Sequence, residues 1–439
     1  MHPDQNVFFI PVGDLLQGSE NDFFLAYAPL HDRMQIVSSQ FIQDIQNSSQ
    51  TESKFLSLLL EDADASEIPL ESSEIRDVGM LYIILNYKCN FHCSYCYSAG
   101  GRSNEELSSE NINEMIHFFL GKHTRNKTRH ITFIGGGEPF LSWEKLKDAI
   151  TEIRKKEREA ECSVSIEIVT NGSLLTSDQA LFLKQNDVRL QVSFEVLEDI
   201  QEKQRSSYQA VSSNVISASS DIPLSIRSVI TDLNVERLEE MVVEVHEKYP
   251  SVKVLRCDVE ESRNRFFSKE QAQEFYKKYN DHFLKARKLA TQYGISLNNY
   301  VTRLMNRITS RFCNMMLCLV PNGSVTSCVC YSSEKEAGFS EFVYGKMKNG
   351  TFILNTEKFK ELIGQNVWKR PECRDCFMKW HCGGGCIAHR ILHDNNLQQI
   401  VCESSRDLFR RILIWNLEEY VQEEYNSSLV AFLKTGENA

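Results

Sequence analysis

Between residues 80 and 295, short apolar runs rich in β-branched residues alternate with helical stretches, and this pattern restricts the fold more than any other. The apolar runs are 80–87, 130–136, 165–172, 188–195, 224–231 and 253–259. The helical stretches are 109–122, 142–159, 177–185, 208–219, 235–249 and 269–293, with Ser109, Ser142 and Ser177 as predicted N-caps. Strands that alternate with helices form parallel sheets through right-handed connections. Six such units are two short of a closed barrel, so we predict an α/β fold with a partial (β/α)6 TIM-like barrel over 80–295 and an active site at the strands' carboxyl ends.

The flanking residues predict four further segments. Residues 1–79 contain three strand-like and two helical stretches, and predict a small α+β module. This module is either an edge extension of the barrel or a docking module for a substrate leader peptide. Residues 296–312 predict a bridging helix, 313–405 form a cysteine-rich segment, and 406–439 predict an amphipathic C-terminal helix.

Composition excludes several classes of protein. A net charge of −11 argues against the basic surface of a nucleic-acid-binding protein. No apolar run approaches the ~20 residues that span a bilayer, and residues 1–5 lack the features of a signal peptide. We therefore expect a cytoplasmic protein with neither membrane nor nucleic acid as partner. Since that compartment is reducing, its 14 cysteines, 12 of them clustered, are expected to be metal ligands rather than disulfides.

The first cysteine cluster directly follows the first predicted strand. Cys89, Cys93 and Cys96 have the spacing C-x3-C-x2-C. Three thiolates on a short loop can hold three corners of a [4Fe–4S] cluster and leave the fourth iron open. A zinc site with a distant fourth ligand is the alternative, although structural zinc sites favour paired C-x2-C spacings and four protein ligands.

This motif, with Tyr95 before its last cysteine, resembles that of the radical S-adenosylmethionine (SAM) enzymes. The second strand ends in a sequence that resembles the GGEP motif of this family, formed by Gly136, Gly137, Glu138 and Pro139. The resemblance implies a [4Fe–4S] cluster bound with SAM and reduced by a donor such as flavodoxin or ferredoxin. It also implies cleavage of SAM to methionine and a 5′-deoxyadenosyl radical that abstracts a hydrogen atom from the substrate.

Polar residues near later strand ends are further candidate SAM contacts. By resemblance these are Asn171, Ser193, Glu195 and Arg205, and Glu195 stands where many relatives carry the aspartate of Ser-x-Asp-Gly. Arg205 and Arg227 could pair with the SAM carboxylate or with an acidic substrate group. The alternatives are a plain turn at Asn171 and a solvated or structural role for each arginine.

The second cysteine field resembles a SPASM domain, which typically carries two auxiliary [4Fe–4S] clusters. Its pattern is Cys313-x9-Gly323-x4-Cys328, then Cys373-x2-Cys376-x5-Cys382-x3-Cys386, then Cys402. The resemblance assigns Cys313, Cys318, Cys328 and Cys386 to one cluster, and Cys373, Cys376, Cys382 and Cys402 to the other. Cys318 lies outside the seven-cysteine pattern, and Cys330 is an alternative ligand. Cys162 and Cys257 are interpreted as small buried apolar residues.

The resemblance spans about residues 80–405 and implies a radical SAM/SPASM peptide maturase. Such an enzyme abstracts a hydrogen atom from a ribosomally synthesised precursor peptide and installs an oxidative intramolecular cross-link, including three-residue cyclophanes. One alternative is a redox-neutral peptide epimerase with Cys330 as hydrogen donor. Another is a formylglycine-forming sulfatase maturase, disfavoured because Val329 replaces the acidic base that follows the cysteine in those enzymes. The non-enzymatic alternative is a zinc-binding peptide adaptor, which the paired C-x2-C spacing would suit.

Overall fold

The first part of the chain forms a small antiparallel sheet covered by two helices. The computed structural model describes residues 7–16, 23–61, 68, 74–121, 127–160, 162–260, 266, 268–313, 315–348, 350–392 and 395–434. The first elements are β1 (Phe8–Pro11), β2 (Phe23–Ala28), β3 (Arg33–Ser38), α1 (Ser39–Asn47) and α2 (Ser49–Leu59). Among the described strands, these three pair only with one another, in the order β1-β2-β3, over an apolar cluster of their own. They therefore do not extend the edge of the large sheet, and a role in leader-peptide docking stays a prediction.

The alternation over residues 80–295 folds into parallel strands joined by helices, which confirms the predicted fold class. The strands are β4 (Met80–Ile83), β5 (Thr128–Phe133), β6 (Ser163–Thr170), β7 (Val188–Ser193), β8 (Leu224–Ile230), β9 (Val254–Val259) and β10 (Ser296–Asn298). The helices are α3 (Ser109–Leu120), α4 (Trp143–Ala160), α5 (Ser177–Gln185), α6 (Glu198–Gln204), α7 (Tyr208–Ser219), α8 (Leu238–Lys248) and α9 (Lys269–Gln292). Two of these elements, α6 and β10, were not predicted.

The predicted helix caps are wrong by position. Ser108 rather than Ser109 caps α3 by accepting a hydrogen bond from the Asn111 amide. Thr176 rather than Ser177 caps α5, in a capping box with Gln179. A cap lies outside the first helical turn, with extended backbone, so it precedes the first helical residue. The third predicted cap, Ser142, instead ends a short 3-10 helix, Pro139–Ser142, that leads into α4.

The remaining elements extend the large sheet and build the C-terminal part. The strands are β11 (Leu317–Leu319), β12 (Ser324–Thr326), β13 (Val343–Lys348) and β14 (Thr351–Leu354). The helices are α10 (Tyr300–Met305), α11 (Phe339–Phe342), α12 (Thr356–Ile363), α13 (Lys379–Cys382), α14 (Ile387–Leu392), α15 (Asn395–Tyr425) and α16 (Leu429–Lys434). The predicted bridging helix 296–312 is corrected, because its first residues form β10 at the sheet edge. The predicted boundary at 405/406 falls within α15.

The large sheet has the strand order β10-β9-β8-β7-β6-β5-β4-β11-β12-β13-β14. Every pair from β10 to β11 is parallel, whereas β11, β12, β13 and β14 pair antiparallel. Among the described strands, β10 and β11 do not pair with each other, so the parallel part is an open, incomplete barrel. β11 lies beside β4 and links the cysteine-rich segment to the barrel through one continuous sheet.

Helix α15 packs the C-terminal segment against both the barrel and the N-terminal module. Phe409, Ile412 and Leu413 are buried in the main apolar core, as expected of an amphipathic helix. Arg410 forms a bidentate ion pair with Asp14, at 2.8 and 2.7 Å. No helix in the described part of the chain is long and apolar enough to cross a membrane.

Candidate active site

A cavity of about 590 Å³ opens at the carboxyl ends of the parallel strands. Its wall is formed by the residues that follow β4 and β5, by the ends of β6 to β9, and by part of the segment 330–337. The cavity thus lies where catalytic groups of parallel barrels converge. Nine of the predicted site residues line it: Cys89, Cys93, Cys96, Gly136, Gly137, Glu138, Asn171, Ser193 and Arg205.

The first three cysteines project from one loop that is fixed to neighbouring strand ends. The Ser94 amide donates to the Gln204 carbonyl at 2.9 Å. The Asn90 side chain donates to Ser173 Oγ and accepts from Asn171 Nδ2, both at 2.9 Å. Burial raises the pKa values of the Cys93 and Cys96 thiols. Three thiols held on a fixed loop, in a cavity that disfavours bare thiolates, suit a positively charged metal partner.

The glycines after β5 lie directly against the start of the cysteine loop. A Cβ atom on Gly137 would lie 1.9 Å from the Lys88 carbonyl oxygen and 2.2 Å from Asn86 Oδ1. Gly136 has φ of +66°, a conformation that favours glycine. These positions accept no side chain without separating the two loops. Pro139 is buried and does not line the cavity.

The carboxylate of Glu138 connects the ends of β5 and β6. It accepts hydrogen bonds from Thr170 Oγ1 at 2.6 Å, from the Asn171 amide at 2.8 Å and from the Phe140 amide at 3.2 Å. Burial raises the pKa of Glu138, and these hydrogen bonds oppose the rise. Glu138 therefore fixes the geometry of this wall as well as lining the cavity.

Glu195 does not face the cavity, so the predicted direct contact with SAM does not fit this geometry. β7 ends at Ser193, and Val196 has φ of +66°, so the alternation of faces stops before Glu195. The buried carboxylate instead accepts hydrogen bonds from Ser228 Oγ and the Val229 amide, and from the Tyr95 hydroxyl. Tyr95 in turn accepts from Arg205 Nη1 at 2.9 Å. Glu195 acts behind Tyr95 and Arg205.

The backbone around α6 is held in unusual conformations. Besides Val196, Ser206 and Ser207 have φ of +85° and +57°. Positive φ is a genuine outlier for a β-branched residue such as valine, and each such residue costs on the order of 1–3 kcal/mol. The surrounding packing maintains this strained backbone on both sides of α6, next to Arg205, whose side chain lines the cavity.

Two arginines on the cavity wall have donors that no described residue satisfies. Arg102 Nη2 donates to Cys96 Sγ at 3.2 Å, but Arg102 Nη1 is buried without a hydrogen-bond partner among the described residues. The same holds for Arg205 Nε. Guanidinium groups pair best with carboxylates, so the cavity suits a ligand that brings a carboxylate close to the three thiols. The methionine carboxylate of SAM fits this requirement.

The family model of the Radical SAM superfamily matches residues 83–245, the stretch that supplies the cysteine loop and most of the cavity wall. These residues form a radical SAM domain. Members of this family bind a [4Fe–4S] cluster and SAM.

Several curated proteins are similar to this chain. An uncharacterised protein of Methanocaldococcus jannaschii is 27% identical over 172 residues, which are 37% of this chain and 58% of that protein. The radical SAM cyclopropyl synthase TigE of Paramaledivibacter caminithermalis is 20% identical over 77% of this chain and 74% of its own length. A cysteine-type anaerobic sulfatase-maturating enzyme of Clostridium novyi is 22% identical over 77% of this chain and 96% of its own length.

Two solved structures share the fold. The structure of native anSMEcpe with bound AdoMet has a TM-score of 0.58 at 18% identity, covering 77% of this chain and 99% of that one. Streptococcus suis SuiB bound to precursor peptide SuiA has a TM-score of 0.53 at 11% identity, covering 88% of this chain and 95% of that one. At identities this low, the structural similarity shows a common fold and nothing more.

Outside the radical SAM domain, four predicted ligands line a second cavity of about 420 Å³. They are Cys373, Cys376, Cys382 and Cys402. The first two precede α13, the third ends α13 and the fourth lies in α15. Burial raises the pKa of Cys373 to about 11 and that of Cys382 to about 12. Gly384 and Gly385 also line this cavity, with φ of +86° and +79°. The arrangement is a buried pocket of soft donors, which suits an iron–sulfur cluster.

In the other predicted set, Cys313, Cys328 and Cys386 lie together, whereas Cys318 lies apart from them. Cys313 and Cys386 are hydrogen-bonded to each other, and Cys328 is hydrogen-bonded to Cys330. Cys318 is fully buried in a separate apolar cluster, hydrogen-bonded to Thr326. The reason is strand alternation, since Leu317 and Leu319 on β11 face the main core and Cys318 faces the opposite side. In the described ranges, no three His, Cys, Asp or Glu side chains converge on a single ion.

Sequence reasoning missed four charged residues on the wall of the first cavity: Arg102, Asp258, Glu260 and Glu336. Arg102 follows two glycines shortly after the cysteine motif, and only its proximity to that motif could have indicated it. Glu336 lies in a polar stretch without a recognisable pattern.

Proposed function

We propose that this radical SAM enzyme is a peptide maturase that removes a hydrogen atom from a ribosomally synthesised precursor peptide and installs an oxidative intramolecular cross-link. The observation that carries the proposal is the second cavity, where Cys373, Cys376, Cys382 and Cys402 surround one pocket. A cross-link removes two hydrogens, and only one leaves as a hydrogen atom. The second is lost as an electron and a proton, so the enzyme needs an internal electron acceptor.

In this proposal Cys89, Cys93 and Cys96 hold the cluster that binds SAM. When bound and reduced by a donor such as flavodoxin or ferredoxin, that cluster and SAM supply a carbon radical that abstracts hydrogen. Arg102 and Arg205 pair with the SAM carboxylate. The backbone of Gly136 and Gly137 accommodates SAM closely, and Asn171 and Ser193 supply polar contacts. The chain thereby binds and orients the reactants and keeps water away from them.

The two remaining sets of thiols would hold auxiliary [4Fe–4S] clusters. Cys373, Cys376, Cys382 and Cys402 can ligate one cluster fully with protein thiolates, which suits electron transfer. Cys313, Cys328 and Cys386 are the ligands of the other, with Cys330 as the fourth because it adjoins Cys328. Cys318 is excluded from this set in the proposal, because it bonds to Thr326 on a different face.

The peptide substrate is supported by the relatives. TigE is named as a cyclopropyl synthase, and the Clostridium novyi relative is named as an enzyme that matures sulfatases. The SuiB structure contains the precursor peptide SuiA. In this chain the module of β1, β2 and β3 would dock the leader peptide. Its position is stabilised by the ion pair of Asp14 with Arg410 and by the Tyr27 hydroxyl, 2.6 Å from His381 Nε2.

A redox-neutral epimerase is the second candidate, because the Cys330 thiol lines the first cavity. A thiol there could return a hydrogen atom to a substrate radical. Product mass separates the two functions, because epimerisation leaves the mass unchanged and a cross-link removes two hydrogens.

The test is anaerobic co-expression of the enzyme with short peptides encoded beside its gene, followed by mass spectrometry. We expect one peptide to lose two hydrogens, with no loss when Cys93→Ala is used. Cys162→Ala is the matched control, since Cys162 lines neither cavity. A product of unchanged mass that carries solvent deuterium would instead establish epimerisation.

A further inference from the structure

Glu336 is a carboxylic acid on the wall of the first cavity, contributed by the cysteine-rich segment rather than by the barrel. It follows Cys330 and Tyr331, which line the same cavity. The barrel supplies thiols, glycines, arginines and three other acids, Glu138, Asp258 and Glu260, to this wall. Glu336 is therefore an acid that the second part of the chain adds to the radical SAM site.

One of its two oxygens is used structurally and the other is not. Glu336 Oε2 accepts hydrogen bonds from the Ser332 amide at 2.6 Å and from the Ser333 amide at 3.0 Å. Glu336 Oε1 is buried and has no hydrogen-bond partner among the described residues. A buried acceptor left unpaired costs on the order of 1–3 kcal/mol, so its retention calls for a partner that arrives with the substrate.

The position of Glu336 is fixed by contacts from the barrel. The Tyr87 hydroxyl donates to the Ser332 carbonyl and holds the turn that carries Glu336. A Cβ atom on Gly101 would lie 2.8 Å from Ser333 Cβ and 3.4 Å from Glu336 Oε1. The end of the cysteine loop and the free carboxylate oxygen are therefore packed together.

Glu336 is also adapted to take up a proton. Burial raises its pKa, against the lowering effect of the two backbone amides. In the described part of the chain no lysine or arginine forms an ion pair with Glu336, although Lys335 directly precedes it in the sequence. Burial and the charge of Glu336 both raise the pKa values of Tyr87 and Cys96 on the cysteine-loop side and of Cys318 on β11. Arg102 lines the same cavity. A base with a raised pKa works best near neutral pH.

We propose that Glu336 is the proton acceptor of the oxidative step. This inference rests on the proposed cross-linking function. The substrate loses one hydrogen atom to the SAM-derived carbon radical, and its radical then forms the new bond to a second substrate group. That adduct loses one electron to an oxidised iron–sulfur cluster and one proton to Glu336 Oε1. The reaction thus removes two hydrogens, and the proton leaves to solvent when Glu336 is deprotonated again.

The test compares Glu336→Gln with Glu334→Gln, an exposed acid on the same turn whose Oε1 accepts from Asn322 Nδ2 at 2.7 Å. Holoenzymes are incubated with SAM, reductant and the peptide found by co-expression. In Glu336→Gln, 5′-deoxyadenosine should form at the normal rate while cross-linking falls about 100-fold, the usual contribution of a positioned base. Glu336→Asp should recover part of the rate, and Glu334→Gln should behave as wild type.

A second readout does not depend on turnover. Infrared titration of the full chain should show a protonated carboxyl band that titrates above the ordinary glutamate range and is missing in Glu336→Gln. Equal cross-linking by Glu336→Gln and wild type, or an unchanged band, overturns the assignment of Glu336 alone. A wild-type enzyme that makes 5′-deoxyadenosine but never removes two hydrogens overturns the proposed function and the base with it.

Discussion

Tyr95, in the cysteine loop, donates a hydrogen bond to the buried carboxylate of Glu195, at the end of β7. The same hydroxyl accepts a hydrogen bond from Arg205, whose Nη1 lies 4.0 Å from Glu195 Oε1. The loop that carries the three cysteines is thereby linked to the arginine that faces the cavity. A buried acid behind a cavity-lining arginine fixes the direction in which that arginine presents its Nε donor.

Tyr95→Phe should therefore lower both stability and SAM affinity. It leaves Glu195 and Arg205 buried without their shared partner, which should cost about 1–3 kcal/mol of unfolding free energy. Urea unfolding and equilibrium binding of SAM measure the two effects. Tyr420→Phe, at an exposed tyrosine, is the control and should change neither. Unchanged SAM affinity in Tyr95→Phe would contradict the linkage to Arg205.

Gly137→Ala should separate the glycine loop from the cysteine loop. The added methyl group would overlap the Lys88 carbonyl, and overpacking of this kind costs about 1–3 kcal/mol or more. We expect a lower melting temperature and loss of iron and SAM binding. Gly100→Ala is the matched control, because no atom lies within 4 Å of its Cβ position. Equal iron content in the two variants would show that the backbone can yield here.

Glu106 should make stability depend on acidity. Hydrogen bonds from Lys145 and Lys88 lower its pKa from 4.5 to about 2. The stabilisation is therefore fully present above pH 4.5 and is lost as the pH falls towards 2. After solvent screening we expect Glu106→Gln to lose about 1–2 kcal/mol at pH 7, and roughly half of that difference at pH 3. Urea unfolding at several pH values measures this, with the exposed Glu105→Gln as control.

Arg102→Ala should weaken SAM binding and make the first cluster harder to reduce. Arg102 donates to Cys96 Sγ, and hydrogen bonds to cluster sulfur ligands raise reduction potentials. Loss of the proposed charge-assisted bond from Arg102 to the SAM carboxylate should weaken affinity about tenfold or more. Redox titration followed by electron paramagnetic resonance measures the potential. Arg374→Ala, at an exposed arginine, should alter neither quantity.

The two cysteines Cys376 and Cys318 should differ in their effect on iron content. Cys376→Ala removes a proposed ligand from the second cavity and should lower the iron content by one cluster. Cys318→Ala should keep all the iron and lose only stability, because Cys318 bonds to Thr326 within an apolar cluster. Iron and sulfide analysis of anaerobically purified protein decides this. Loss of a cluster in Cys318→Ala would restore it to the ligand set.

The barrel could be predicted from the sequence because its strands are long enough to show a period. The sequence shows six apolar runs between residues 80 and 259, and each of them contains a strand in the structure. β10 and β11 have three residues each, too few for a recognisable alternation. Their positions depend on pairing with β9 and β4, which is a tertiary effect.

The candidate site was predictable where chemistry follows spacing, and not elsewhere. Cysteine spacing grouped Cys89, Cys93 and Cys96, which line one cavity, and the resemblance to a SPASM domain grouped the four thiols that line the second cavity. Glu195 was misassigned because a backbone turn at Val196 redirects it, and backbone dihedrals leave little trace in a single sequence. Glu336 reaches the cavity only through the packing of Tyr87 and Gly101 against its turn.

The pairing of β11 with β4 determines what a shortened enzyme would do. β4 is a buried parallel strand, and β11 occupies the side of it opposite β5. Removing the cysteine-rich segment would expose the backbone donors and acceptors of β4 beside the apolar residues that β11 covers. Unprotected strand edges of this kind recruit other chains and lead to aggregation. The radical SAM domain is therefore not a detachable module in this protein, and an insoluble product is expected from expression of residues 80–312 alone.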